Sequence, residues 1–202
     1  MARILILFAH PALEKSRVHR RLLTRVPADV TVHDLYEAYP DFDVDVAREQ
    51  ALLLAHDLVI LQHPFFWYST PPLIKQWEDL VLEHGWAYGS QGTRLRGKWM
   101  MNLLTAGGRA AAYQHEGYNR FTVRELLAPI EQTARLCGVQ YLPPYVIHGT
   151  HRLDEPQIEL QADLYGAFLA ALRDDALDLH ALAPLSAVDP DNLPLAAAQG
   201  AP

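Results

Sequence analysis

R-I-L-I-L-F-A, from Arg3 to Ala9, is apolar without interruption after its first residue, as suits a strand buried on both faces. The chain beyond it keeps alternating strand-like and helix-like stretches. From Ser16 the apolar positions Val18, Leu22, Leu23 and Val26 follow helical spacing, and Val30 to Leu35 is a second short strand. Tyr39 to Asp45 is acidic and reads as loop; Ala47 to Ala55 reads as helix. L-V-I-L, within Asp57 to Gln62, is a third strand. Ser69 or Thr70 can cap the next helix, with Pro71 where its missing N–H costs least, and Leu73, Ile74, Trp77, Leu80 and Val81 line one face of it. Trp99 to Thr105 is a fourth strand. Val123, Leu126, Leu127, Ile130 and Ala134 mark a helix that stops near Gly138, and Val139 to His148 holds a fifth strand. Asp154 with Gln157 resembles a capping box, opening a helix continued by Leu160, Leu164, Phe168 and Leu172.

Five strands alternating with helices predict an α/β protein: one parallel sheet, covered on both faces, with right-handed crossovers. A chain of 202 residues supports one well-buried core. Residues 1–178 are expected to form that domain. Residues 179–202, rich in Pro, Ala and Asp from Ala183 onward, read as a loosely held tail.

Composition narrows the function classes. A formal charge of −7, with no cluster of Lys and Arg among aromatics, argues against nucleic acid as a partner. The single Cys137 excludes an intramolecular disulfide framework and a Cys-rich zinc site, and no neighbouring feature marks it as a nucleophile. His10, His19, His33, His56 and His63 lack the spacing of a metal-binding motif, so no metal is expected. The run Ile4 to Ala9 is too short to span a bilayer and lacks the flanks of a signal peptide; the expected location is the cytoplasm.

In open parallel sheets ligands bind beyond the carboxyl ends of the strands. That directs attention to the segments after Ala9, Gln62 and Thr105. The first is H-P-A-L-E-K-S-R-V-H, from His10 to His19. A phosphate could sit on the amides of residues 16–19, with the Ser16 hydroxyl and His10 as further donors; the same residues also read as a plain N-cap and a loop histidine. The glycines of a dinucleotide fingerprint or a Walker loop are missing. The second segment, H-P-F-F-W-Y-S-T-P-P, carries Phe65, Phe66, Trp67 and Tyr68 in succession. Four aromatics in a loop can wall a flat apolar ligand such as a flavin ring, or pack under the next helix or against another chain. The third, Thr105-Ala106-Gly107-Gly108, lets backbone approach a ligand closely or turn sharply. A long mixed segment follows, in which the Tyr113 phenol could donate a proton or simply lie on the surface.

These stretches together resemble the flavodoxin-like NAD(P)H:quinone oxidoreductases, and among them the ancillary flavoproteins of the glutathione-regulated potassium-efflux systems. The matching motifs are F-A-H-P with Ser16, L-Y-x-x-Y-P-D-F-D-V-D from Leu35 to Asp45, and Q-H-P-F-F-W-Y-S-T-P-P-L-I-K-Q-W from Gln62 to Trp77. H-G-W-A-Y-G from His84 to Gly89, T-A-G-G, and Leu142-Pro143-Pro144 complete the set. The resemblance implies a three-layer α/β/α sandwich with a five-stranded sheet of order 2-1-3-4-5. It implies a bound flavin, FMN or else FAD, with NAD(P)H as co-substrate. His10 and Ser16, Arg17, Val18 and His19 would hold the phosphate side. Pro64, Phe65, Phe66, Trp67 and Tyr68 would hold the ring, and Thr105, Ala106, Gly107 and Gly108 its polar edge, with Tyr113 as the proton donor. It further implies two-electron, ping-pong reduction of a quinone or related electrophile and a homodimer, for whose contact the helix after Pro71 and the G-W-A-Y-G segment are the candidates. Such a protein could also activate a potassium/proton antiporter at the inner face of the membrane, with or without turnover. Three departures stand out: His19 where Asn is usual, Ala106 for a second Thr, and Asn119 where a proton-relaying His is expected. An electron carrier that uses no nicotinamide is a third reading, disfavoured by the aromatic loop.

Overall fold

The computed structural model describes residues 1–188 and residue 193. The opening apolar run forms β1 (Ile4–Phe8), buried along its whole length. Its side chains serve two apolar layers in alternation: Ile4, Ile6 and Phe8 face one, Leu5 and Leu7 the other. A strand with two faces to satisfy leaves no position for a charge. β3 (Leu58–Pro64) and β4 (Trp99–Ala106) repeat the pattern. With β2 (Thr31–Asp34) and β5 (Gln140–Tyr141) they give the order β2-β1-β3-β4-β5, every neighbouring pair parallel.

The stretch expected as one fifth strand is two. β5 ends at Tyr141, and β6 (Tyr145–His148) resumes beside the carboxyl half of β4. Leu142, Pro143 and Pro144 lie between them, and proline has no N–H to give to a ladder.

One face of the sheet is covered by α1 (Arg17–Leu23), α7 (Glu155–Arg173) and α8 (Leu179–Leu182). The other is covered by α2 (Leu35–Ala38), α3 (Val46–Ala55), α4 (Pro72–Val81), α5 (Val123–Leu126) and α6 (Ala128–Leu136). The expected three-layer sandwich is therefore present. No helix among the described residues is long and apolar enough to cross a membrane.

Several local expectations are corrected. α2 interrupts a stretch read as strand and loop; the Asp34 carboxylate caps it, accepting from the amides of Tyr36 and Glu37. α4 starts at Pro72 with Pro71 as its cap, not Ser69 or Thr70, because Ser69 is tied into a turn with Phe66. Leu80 lies at the margin of the α4 stripe and is exposed. The helix expected from Val123 to Gly138 breaks at Leu127 (φ −90°, ψ 7°). The Pro129 ring would strike the carbonyl four residues back in a continuous helix. In α7 the capping box of Asp154 and Gln157 is present, but the buried line runs through Ile158, Ala162, Tyr165, Leu169 and Leu172, while Leu160 is 58% exposed. Residues two apart on a helix point roughly 200° apart, so Leu160 faces away from Ile158.

Beyond residue 178, Leu182 is wholly buried against the sheet. Val188 N–H donates to Pro144 O at 3.0 Å, and Arg124 donates to the carbonyls of Ala183 and Leu185. Residues 189–192 and 194–202 of the expected tail lie outside the described residues.

Candidate active site

Parallel strands end on the same side, so β1, β3, β4 and β6 deliver their following segments to one rim. A cleft of about 530 Å³ opens there. His10, Ser16, Arg17 and Val18 line one part of it, Pro64, Phe65 and Phe66 another, and Thr105 and Gly107 the floor between.

At the first part, the amide of Ala12 donates to His10 Nδ1 at 3.1 Å. The proton of the neutral ring is therefore on Nε2, free to be donated. Burial lowers the pKa of His10, which keeps the ring neutral near pH 7. Ser16 caps α1: its Oγ accepts from the His19 amide at 3.1 Å, and its own amide donates to Leu13 O. Two of the four amides expected to face a phosphate are thus spent within the protein. Those of Arg17 and Val18 remain, and the Ser16 hydroxyl keeps a proton to give. Lys15 and Arg17 supply positive charge at this end, Arg17 being braced by Glu155 (2.6 Å) and the Leu153 carbonyl (3.1 Å).

At the second part, the aromatic run divides. Phe65 packs beside Tyr113, ring centroids 6.0 Å apart, and Phe66 lies 6.3 Å from the His10 ring. Trp67 and Tyr68 do not line the cleft. Phe66 and Ser69 exchange both backbone hydrogen bonds, at 3.0 and 2.9 Å, closing a two-residue turn with Trp67 and Tyr68 at its tip, φ 48° and 65°. Both are left-handed, the geometry usually given to Asn-Gly. The turn throws Trp67 outward until it is 93% exposed. Tyr68 Oη donates to Asn119 Oδ1 at 3.4 Å.

On the floor, Ala106 and Gly108 are not at the cleft surface: Ala106 is wholly buried, and a Cβ at Gly108 would come within 3.0 Å of the Tyr113 ring. A Cβ on Gly107 would lie 2.5 Å from His151 Nε2, so glycine there lets the His151 ring close over the backbone. Tyr113 is buried beside the cleft, 5.5 Å from the His148 ring. Burial, with a smaller effect of Tyr68, raises its pKa, so the phenol keeps its proton across the neutral range.

His19 is the other residue the fold withdraws. Its ring is wholly buried under the cleft, edge-on to Phe8 and His10 at 5.5 and 5.3 Å. Burial first, then His10 and His63, push its pKa down to about 3. Burial likewise holds His63 down at about 4. Cys137 is buried away from the cleft at the end of α6, its thiol pushed up to about 11 by burial and Glu78.

Ala12, Lys15, Thr150 and His151 line the cleft and went unmarked in the sequence. The strand-end rule applied to β6 would have found Thr150 and His151, which follow Gly149 at φ 70°. Among the described residues, no three His, Cys, Asp or Glu side chains gather as a metal site would need.

The chain matches the model of a family described by its flavodoxin-like fold over residues 2–169. It is 44% identical over 164 residues to the glutathione-regulated potassium-efflux system ancillary protein KefF of Klebsiella aerogenes, covering 80% of this chain and 92% of that one. Among solved structures, general stress protein 14 of Treponema denticola in complex with FMN superposes with a TM-score of 0.80. It shares 40% identity and covers 84% of this chain and 99% of its own. A protein described as an NADPH-quinone reductase from P. pentosaceus has a TM-score of 0.74 and 32% identity, over 83% and 97% of the two chains.

Proposed function

The chain belongs to the flavodoxin-like fold family, and on that footing we propose that it is a flavin-dependent NAD(P)H oxidoreductase reducing quinones or related electrophiles. One observation carries the reading: a single cleft joins a phosphate-suited end to a flat aromatic wall with a polar floor between them. The donor set fits FMN, with FAD as the alternative. The His10 Nε2–H, the Ser16 hydroxyl, the amides of Arg17 and Val18 and the charges of Lys15 and Arg17 suit a phosphate. Pro64, Phe65 and Phe66 suit a ring face, and Thr105 with Gly107 suits its hydrogen-bonding edge. A structural relative at 40% identity holds FMN.

When bound, the flavin supplies the hydride chemistry; the protein orients and protonates. The aromatic wall keeps water from the ring face. Tyr113, still protonated at neutral pH, is the proton donor, and its hydroxyl has no hydrogen-bond partner among the described residues. Asn119 accepts from Tyr68 and cannot relay a proton. Nicotinamide and acceptor share one cleft and must come and go in turn, so initial-rate lines against the two substrates should be parallel. Intersecting lines would show that both bind at once. The copies pair through α4 and segment 84–89, and a dimer is the expected species on size-exclusion chromatography with light scattering.

The purified protein should show flavin absorption near ~450 nm that bleaches when NADPH or NADH is added without air. A colourless chain that takes up neither FMN nor FAD would sink this reading. The likeness to KefF favours a second one: an ancillary cytoplasmic protein that binds a potassium/proton antiporter at the inner face of the membrane. Co-purification with an antiporter expressed alongside it, retained in a turnover-dead Tyr113→Phe variant, would separate that role from catalysis.

A further inference from the structure

Four polar side chains run in file beneath the cleft. Tyr165 Oη donates to Gln62 Oε1 at 2.8 Å. Gln62 Nε2 lies 3.4 Å from His19 Nδ1, and His19 Nε2 lies 3.0 Å from Thr105 Oγ1. Tyr165, Gln62 and His19 are wholly buried; Thr105 alone reaches the cleft.

The file has a direction. With the amide oxygen of Gln62 engaged by the phenol, its nitrogen faces His19, and an amide nitrogen only donates. His19 Nδ1 therefore accepts and is bare. A neutral imidazole has one proton; with Nδ1 accepting from Gln62 it is on Nε2, where Thr105 Oγ1 takes it, the His63 backbone being the other polar group at the ring. The Thr105 hydroxyl, occupied as an acceptor, has its own proton left to place. Among the described residues Oγ1 has no other partner, and the open space beside it is the cleft.

We propose that His19 is a positioning residue that makes Thr105 an obligate hydrogen-bond donor to the bound ligand, so that the cleft floor selects a ligand atom that accepts, such as a ring carbonyl oxygen or an unprotonated ring nitrogen. The proposal rests on the flavin reading of the cleft for its ligand and on protein geometry for its direction. A donor at an atom that gains electron density stabilises the reduced ligand more than the oxidised one, so Thr105 also raises the reduction potential of what it holds.

The test uses the full chain, labelled with ¹⁵N, without and with FMN. Between about pH 5 and 8 the His19 imidazole should show a protonated Nε2 and a bare Nδ1 throughout, while His10 and His63, the titratable groups facing it, are assigned in the same spectra. Thr105→Val should weaken FMN binding about tenfold and lower the potential of the bound flavin, whereas Thr105→Ser should hold FMN within about threefold. A proton on Nδ1 would overturn the proposal, since Nε2 would then accept from Thr105 and the cleft would receive no proton. Equal FMN affinity in Thr105→Val and Thr105→Ser would overturn it too. If the wild type binds neither flavin, the reading of the cleft fails and the ligand half of the proposal with it. If it binds FMN with His19 protonated on Nδ1, the proposal alone fails.

Discussion

Trp67 and Tyr68 occupy the tip of a tight turn at positive φ, where a side chain bulkier than Asn is held at a cost of about 1–3 kcal/mol per residue. Replacing the pair by Asn-Gly should raise stability by about that much in urea unfolding and leave FMN affinity within about threefold, because neither side chain lines the cleft. Clearly weaker FMN binding would show that the tip reaches the bound ligand. The buried histidines lead to a second expectation. His63 donates from Nδ1 to Pro64 O at 2.9 Å and accepts at Nε2 from Asn102, so like His19 it is built into the fold as a neutral ring. Their pKa values, about 4 and about 3, lie below the ordinary value of 6.5. Below pH 6.5 the unfolded chain takes up protons that the folded chain refuses. Stability should therefore fall by about 1.4 kcal/mol per histidine for each unit of pH from about 6.5 towards 4. Urea midpoints measured at about pH 7.5 and 5.5 should differ clearly; equal midpoints would mean that the rings are not buried neutral.

Among the elements, α3 and α4 are locked by one carboxylate. Glu49 in α3 is wholly buried and accepts from Tyr39 Oη at 2.5 Å, Trp77 Nε1 at 2.8 Å and His33 Nε2 at 2.7 Å. Burial alone would raise its pKa; the three hydrogen bonds outweigh that and hold it below the ordinary range. Glu49→Leu would leave those donors buried without a partner, and should cost about 3–5 kcal/mol by denaturant unfolding. Trp77 is in α4, directly after the aromatic turn, so weaker flavin retention should accompany the loss. α8 offers a test of where the domain ends. Leu182→Ala removes a wholly buried side chain and should cost about 2–5 kcal/mol; a change near zero would place residues after 178 outside the cooperative unit.

At the scale of the molecule, parallel pairing puts every strand end of interest on one rim, and the sequence made this legible at three of four places. The two-sided apolar runs at Ile4–Phe8 and Leu58–Pro64 could only be interior strands of a covered sheet, and from those the rim followed. Ser16, Phe66, Thr105 and Gly107 were marked because each lies at the carboxyl end of a strand or in the segment that follows it. The segment after β6 was missed although its strand was read to end at His148, because Gly149-Thr150-His151 holds no aromatic run or glycine pair to mark it. What the sequence by itself determined was the layer order, the place of the cleft and the kind of residue at its rim, since these depend on local pattern and on the geometry common to all parallel sheets. Only the tertiary structure decided which of the marked residues face the cleft. His19, Trp67, Tyr68, Ala106 and Gly108 stand in the same motifs as their neighbours. A helix cap, a two-residue turn and the pleat of a strand direct them inward or away; the cap and the turn close between residues three apart, but the strand register and the layers packed against them are set by segments distant in the chain.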